Sequence, residues 1–190
     1  MKALRTLLAI TSVLVSFTAV ANDDVVDVDF AQPPITTQVV PENPHDWNLS
    51  RHLKSQALRP FEPNVPSYLG KGNLISSWNP HPTNVKGHPT FIIIHGGHGI
   101  SPNNIDTAVW AIRTFDANVM ILDSFWTRGK EENWKTWTRY GANMRMLDVI
   151  AAARFVKDQG ADPRKTVVIG DSQGGWTVLR AFSNHNLTKE

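Results

Sequence analysis

Three short apolar runs constrain the fold of this chain more than any other feature: Phe91-Ile92-Ile93-Ile94, Val119-Met120-Ile121-Leu122 and Val167-Val168-Ile169. Each is β-branched or aromatic, lacks polar alternation and runs out at a Gly or Asp. Alternation marks a strand with one wet face. Its absence marks a strand covered on both faces, the condition of a parallel sheet with helices on either side. Leu74 to Trp78 is a weaker candidate for a preceding strand.

Helical patterns separate the runs. Ser101-Pro102 reads as an N-cap with proline at the first helical position. Ile105, Ala108, Val109, Ile112 and Phe115 then follow on one helical face. Asn143 to Asp158 is a second helix, apolar around most of its circumference and stopped by Gly160. A third begins at Gln173 and runs to about Asn184. Strand and helix in alternation predict an α/β fold with a mostly parallel sheet. Ten of the twelve prolines fall between Pro33 and Pro89, and residues 22–71 show no sustained period. That segment reads as an extended arm, and 72–190 as the α/β domain.

At 190 residues with 41% hydrophobic and 19% charged residues, the chain has enough apolar material for one core, which excludes a disordered class. The first 21 residues place Lys2 and Arg5 before an apolar stretch from Leu7 to Val20, ending in Ala19-Val20-Ala21. This is the pattern of a signal peptide cleaved after Ala21, which predicts a secreted or periplasmic protein. Of 19 basic residues two lie in that segment, so the remaining 17 balance the 17 acidic ones. With no basic block, nucleic acid is excluded as a partner class. No other run is long enough to span a membrane. There is no cysteine, which excludes disulfides, thiolate metal sites and a thiol nucleophile. His45, His52 and His81 have no partner at metal-ligand spacing and read as surface histidines. His95 and His98 lack a carboxylate at suitable spacing, so no metal site is expected.

Two motifs carry chemistry. Gly170-Asp171-Ser172-Gln173-Gly174 is G-x-S-x-G, directly after an apolar strand and opening a helix. In that setting a sharp turn lifts the serine above the sheet as a nucleophile. His95-Gly96-Gly97-His98-Gly99 closes the first strong strand. Acyl transfer builds negative charge on the carbonyl oxygen, and rigid backbone N–H groups must be aimed at it. Gln173 and either Gly97 or His98 are the expected donors, and Ser172 should therefore face the Gly96–Gly97 loop.

With Asp123-Ser124-Phe125, Arg128-Gly129 and Asp162-Pro163-Arg164 added in the same order, the sequence from Gly72 to Phe182 resembles the dienelactone hydrolase family of the α/β-hydrolase superfamily. The resemblance implies a three-layer αβα hydrolase acting on a small-molecule ester or lactone, with no metal or organic cofactor. Founding members of the family use cysteine where this chain has Ser172. Asp123 and Arg128 close the loop after the second strong strand, at the carboxyl edge where ligands bind. They are candidate substrate-loop residues or, more plainly, an ion pair ordering that loop. Trp126, Trp134, Trp137 and Tyr140 follow as an aromatic wall or as packing for the long connection.

In this fold the acid and base of the triad follow the serine along the chain. Downstream of Ser172 the sole histidine is His185, 13 residues on, about 20 Å away if the helix continues. The expectation is a hydrolase domain incomplete at its C-terminus, inactive and poorly folded alone. A non-catalytic remnant that binds a ligand or partner is the alternative.

Overall fold

The computed structural model describes residues 58–68, 72–128 and 139–183, with the side chains of 139–142 left aside. The expected signal segment, the arm as far as residue 57 and His185 lie outside the described residues. Five strands form one sheet: β1 (Glu62–Pro66), β2 (Asn73–Asn79), β3 (Thr90–Ile94), β4 (Asn118–Asp123) and β5 (Thr166–Gly170). Their spatial order is β1-β2-β4-β3-β5. Helix α1 (Pro102–Phe115) joins β3 to β4, α2 (Arg139–Asp158) precedes β5, and α3 (Gln173–Ser183) follows it.

The three apolar runs lie in the three parallel strands. Thr90 stands level with Asn118 and Thr166, and Ile94 with Leu122 and Gly170, so the strands begin and end together. The sheet as a whole is not mostly parallel, and this corrects the expectation. β2 runs antiparallel to β1 and to β4. Connection length is the reason. Residues 67–72 join β1 to β2, drawn tight by the Ser67 N–H donating to Gly72 O at 3.0 Å. Residues 80–89 join β2 to β3 with no helix, and a parallel return needs a crossover of a dozen residues or more. β1 also begins the sheet inside the proline-rich segment, ahead of residue 72.

Unalternated strands imply two cores, and two are present. Ile92, Ile94, Met120 and Leu122 pack with Leu147, Ile150 and Val156 of α2 and Val178 of α3. Phe91, Ile93, Val119 and Ile121 face the other way, onto Ile105, Ala108 and Ala111 of α1. α2 is covered around most of its circumference, as its composition predicts, and it starts four residues before Asn143. The buried stripe of α1 is rotated from the predicted one. It runs through Asn104, Ile105, Ala108 and Ala111, while Phe115 is 43% exposed. Phe115 stands at the last residue of the helix, where one side of its ring stacks on Phe91 at 5.5 Å and meets Trp110 edge-on at 5.0 Å while the other side faces solvent.

At the amino ends of the parallel strands the buried Asn118 side chain organises the β2–β3 connection. Its Oδ1 accepts from the His81 N–H at 2.7 Å. Its Nδ2 donates to Val85 O at 2.9 Å and Thr90 Oγ1 at 3.0 Å. His81 is therefore anchored, and it is not the partnerless surface histidine the spacing suggested: it meets Asp116 at 3.3 Å. Asn118→Ala strands these buried groups, each worth about 1–3 kcal/mol when left unsatisfied. The expected loss is about 3 kcal/mol, read as a lower urea midpoint at unchanged m-value.

Candidate active site

The strand-to-helix turn at Ser172 is set by contact distances between backbones. Gly174 lies against the end of β3, where a Cβ would stand 2.4 Å from Ile94 O and 2.6 Å from His95 O. A Cβ on Gly170 would stand 2.4 Å from Gly174 C. Both glycines of the G-x-S-x-G motif are thus required by the packing of α3 onto β3 and β5. The turn is closed by Asp171 N–H donating to Ile94 O at 3.1 Å and Gly174 N–H to Asp171 O at 2.7 Å. Between them Ser172 takes φ 49. That left-handed conformation costs a non-glycine residue about 1–2 kcal/mol. Ser172 is exposed at the carboxyl edge of the sheet.

The glycine-rich loop after β3 lies against this turn. A Cβ on Gly96 would stand 3.5 Å from Ser172 Cβ and 3.5 Å from Asp171 O. Gly96 pairs with Gly99, which has φ 81, so Gly97 and His98 form the tip of a tight turn. Gln173 opens α3. Its N–H is one of the helix's first donors, which have no acceptor within the helix. Ser172, Gln173 and the loop carrying Gly97 and His98 are brought together. Among the described residues no side chain hydrogen-bonds Ser172 Oγ.

Beneath the turn lies a buried charge network that sequence reasoning missed. Arg145 of α2 is 2% exposed. It donates through Nη1 to Gln173 Oε1 at 2.9 Å and through Nη2 to His95 O. Its guanidinium also lies 4.9 Å from the Phe125 ring centre. Burial lowers its pKa to about 10, with Asp148 and Asp123 opposing the shift, so it stays cationic at neutral pH. Arg128 donates to both carboxylate oxygens of Asp148, at 2.9 and 2.8 Å. Arg128 thus orders its loop through Asp148 on α2. Asp123 Oδ1 accepts from the Phe125 and Trp126 N–H groups, each at 2.9 Å, and turns the same loop. Both substrate-loop candidates are buried in these contacts. The signal for the network was Arg145 and Asp148, two charges three apart within the apolar stretch Met144–Ala153 of the helix. Trp134 and Trp137, and the side chain of Tyr140, lie outside the described residues.

His95 is the hinge between loop and network. Its Nδ1 donates to Gly96 O at 2.7 Å and its Nε2 accepts from the Ser124 N–H at 3.2 Å, which fixes the neutral tautomer. Complete burial, then the Arg145 charge, lowers its pKa to about 3. His95 is a strut.

No protein-family model matches the chain, and no curated protein matches it. Among solved structures it is similar to a candidate dienelactone hydrolase from Klebsiella pneumoniae subsp. pneumoniae MGH 78578. Identity is 14% and TM-score 0.49, over 65% of this chain and 53% of that one. It is also similar to an acetyl xylan esterase from Paenibacillus sp. R4, at 17% identity and TM-score 0.42, over 77% of this chain and 57% of that one. The chain spans just over half the length of these solved structures.

Two outcomes follow from this geometry. Gly174→Ala drives a methyl group into the β3 carbonyls and should destabilise the fold by more than about 3 kcal/mol, measured by denaturant unfolding. His95 binds a proton near pH 6.5 when unfolded and near pH 3 when folded. Between those values the unfolded chain holds the extra proton, so stability must fall as pH falls, by about 1 kcal/mol per unit. Unfolding midpoints at pH 7, 5.5 and 4.5 should show this slope, reduced by that amount in His95→Gln.

Proposed function

We propose that this chain carries the nucleophile and oxyanion-hole elements of a serine hydrolase of the α/β-hydrolase type, cleaving a carboxylic ester or lactone. The supporting observation is Ser172 itself: exposed, held at φ 49 between a strand and a helix, and set against a glycine-rich loop. Strain on a non-glycine residue persists only where surrounding structure over-determines it. Here the two flanking glycines do so.

In this reading Ser172 Oγ attacks the substrate carbonyl, forming an acyl-enzyme that water then hydrolyses. The tetrahedral oxyanion is held by the Gln173 N–H and by that of Gly97 or His98. Removing one such donor costs about 3 kcal/mol of barrier. Arg145 keeps both donor segments in place from below, through Gln173 Oε1 and His95 O. A serine needs a base to take its proton. His95 does not serve, because it is buried, neutral and bonded at both nitrogens. His98, exposed on the facing loop, is the described histidine to test.

A second reading, a binding protein with a hydrolase-like surface, draws on the absence of any side chain bonded to Ser172 Oγ among the described residues. A serine-directed fluorophosphonate probe separates the two. Stoichiometric labelling that disappears in Ser172→Ala, with aryl-acetate turnover falling about 10⁴-fold or more, supports the enzyme. A folded protein that takes no label, or whose label survives Ser172→Ala, supports the binding reading. Export belongs to the same proposal, and N-terminal sequencing of exported protein should begin at Asn22.

A further inference from the structure

We infer that His81, His88 and Asp116 form a binding site for a divalent transition-metal ion of the Zn²⁺ class, at the edge of the sheet opposite Ser172. His81 follows β2, His88 precedes β3, and Asp116 precedes β4. Because β2 runs antiparallel to β4, all three positions fall at the amino ends of the parallel strands. The topology gathers three residues that are scattered in sequence.

The distances fit an ion better than they fit hydrogen bonds. Asp116 Oδ2 lies 3.3 Å from His81 Nε2 and 3.4 Å from His88 Nδ1. A direct bond between imidazole and carboxylate would be about 2.7–2.9 Å. Four ligands at about 2.1 Å around a tetrahedral ion stand about 3.4 Å apart, which is the spacing of Asp116 from each histidine. All three ligand atoms lie within 4.8 Å of one another, and this is the one such group among the described residues. Two imidazoles and a carboxylate are the donor set of Zn²⁺ and its d-block neighbours rather than of Mg²⁺ or Ca²⁺.

The backbone that carries the three residues is fixed before any ion arrives. Asn118 fixes the backbone of His81 and closes the loop at Val85. The two imidazoles stack at 3.7 Å with planes 10° apart, so one ring has to turn before both in-plane lone pairs meet a single ion. Asp116 ends α1 with φ 51, a position where glycine is the least strained residue. The chain places a carboxylate there instead. Beside His81 and Asp116 opens a cavity of about 180 Å³, also lined by Arg59, Asn79 and Ile112, which leaves room for a solvent ligand in a fourth position. Arg59 opposes a cation at this cavity, but its exposed guanidinium is screened by water.

Ligation requires a change of tautomer at His81. His81 Nδ1 accepts from the Asn84 N–H at 3.2 Å and from the Thr83 N–H at 3.4 Å, which leaves the proton on Nε2 until ligation displaces both donors. Ligation through Nε2 moves it to Nδ1, where Thr83 Oγ1 at 3.4 Å can accept. The exposed Asn84 amide then turns to water. A metal-bound imidazole normally donates its second N–H in this way.

The test is calorimetric titration of the full chain, stripped with chelator, with ZnCl₂. One equivalent should bind and raise Tm by several degrees, since a ligand specific to the folded state stabilises it. Asp116→Asn, a change at an exposed side chain, should weaken binding about tenfold and leave the metal-free Tm within a degree or two. His81→Gln/His88→Gln should abolish the one-equivalent isotherm while the circular dichroism spectrum is kept. Absence of one-equivalent binding by the unaltered chain overturns the assignment. So does an isotherm unchanged in the double variant, which would place the zinc at other histidines.

Discussion

The approach of α3 to the end of β3 is the contact on which the rest of the carboxyl edge depends. Gly174 lies so close to the carbonyls of Ile94 and His95 that no side chain fits between them. That closeness forces the reversal between β5 and α3 into two residues, and so puts Ser172 in the left-handed region. It also brings the loop after β3 within van der Waals reach of the serine. One backbone contact thus determines the strain on the nucleophile candidate, its exposure and its closeness to the loop at Gly96. Each would relax if the helix stood off by the width of a methyl group.

Backbone contact alone would leave polar groups stranded beneath the turn, and buried charge supplies their partners. Arg145 and Arg128 stand against Asp148 and Asp123, two positive and two negative charges in one buried layer. A single charge in that position would be prohibitive, whereas a balanced set satisfied by hydrogen bonds is tolerated. Neutral His95 belongs to the same economy. A protonated imidazole beside Arg145 would place a third positive charge in the layer, so the network holds His95 deprotonated and its tautomer fixed. The fixed tautomer in turn joins Gly96 O to the Ser124 N–H, linking the loops that follow β3 and β4.

Much of this was legible in the sequence, because local rules and tertiary demands agree there. The runs at 91–94, 119–122 and 167–169 are strands because β-branched chains buried on both faces have no better place to go. The sharp turn at the G-x-S-x-G motif was legible because its glycines answer a steric demand that any strand-to-helix reversal of this kind makes. The antiparallel half of the sheet was not legible. Glu62–Pro66 carries two prolines and a single buried side chain, and its pairing follows from a short connection rather than from its own composition. Phe115 was misplaced because helical periodicity does not register a neighbour such as Phe91 that draws the ring to the helix end. Arg145, Asp148 and the cluster at His81 were missed for one shared reason. Their partners lie 28 to 50 residues away for Arg145 and 35 or 28 for the histidines, and such distances are invisible to spacing rules.

The two edges of the sheet are separated by the length of its parallel strands. Five residues at about 3.3 Å each give about 16 Å, and the strands begin and end level with one another. The middle of that span is β3, buried along its whole length and hydrogen-bonded on both sides. Such an element has no second arrangement in which to store a signal, so an event at one edge does not reach the other as movement. Whatever binds at His81, His88 and Asp116 therefore acts on the stability of the β2–β3 connection and the end of α1. The placement of Ser172 answers instead to Gly174, Arg145 and the loop at Gly96. The same parallel register that aligns the strand ends keeps the two proposed sites apart, one at the amino edge and one at the carboxyl edge.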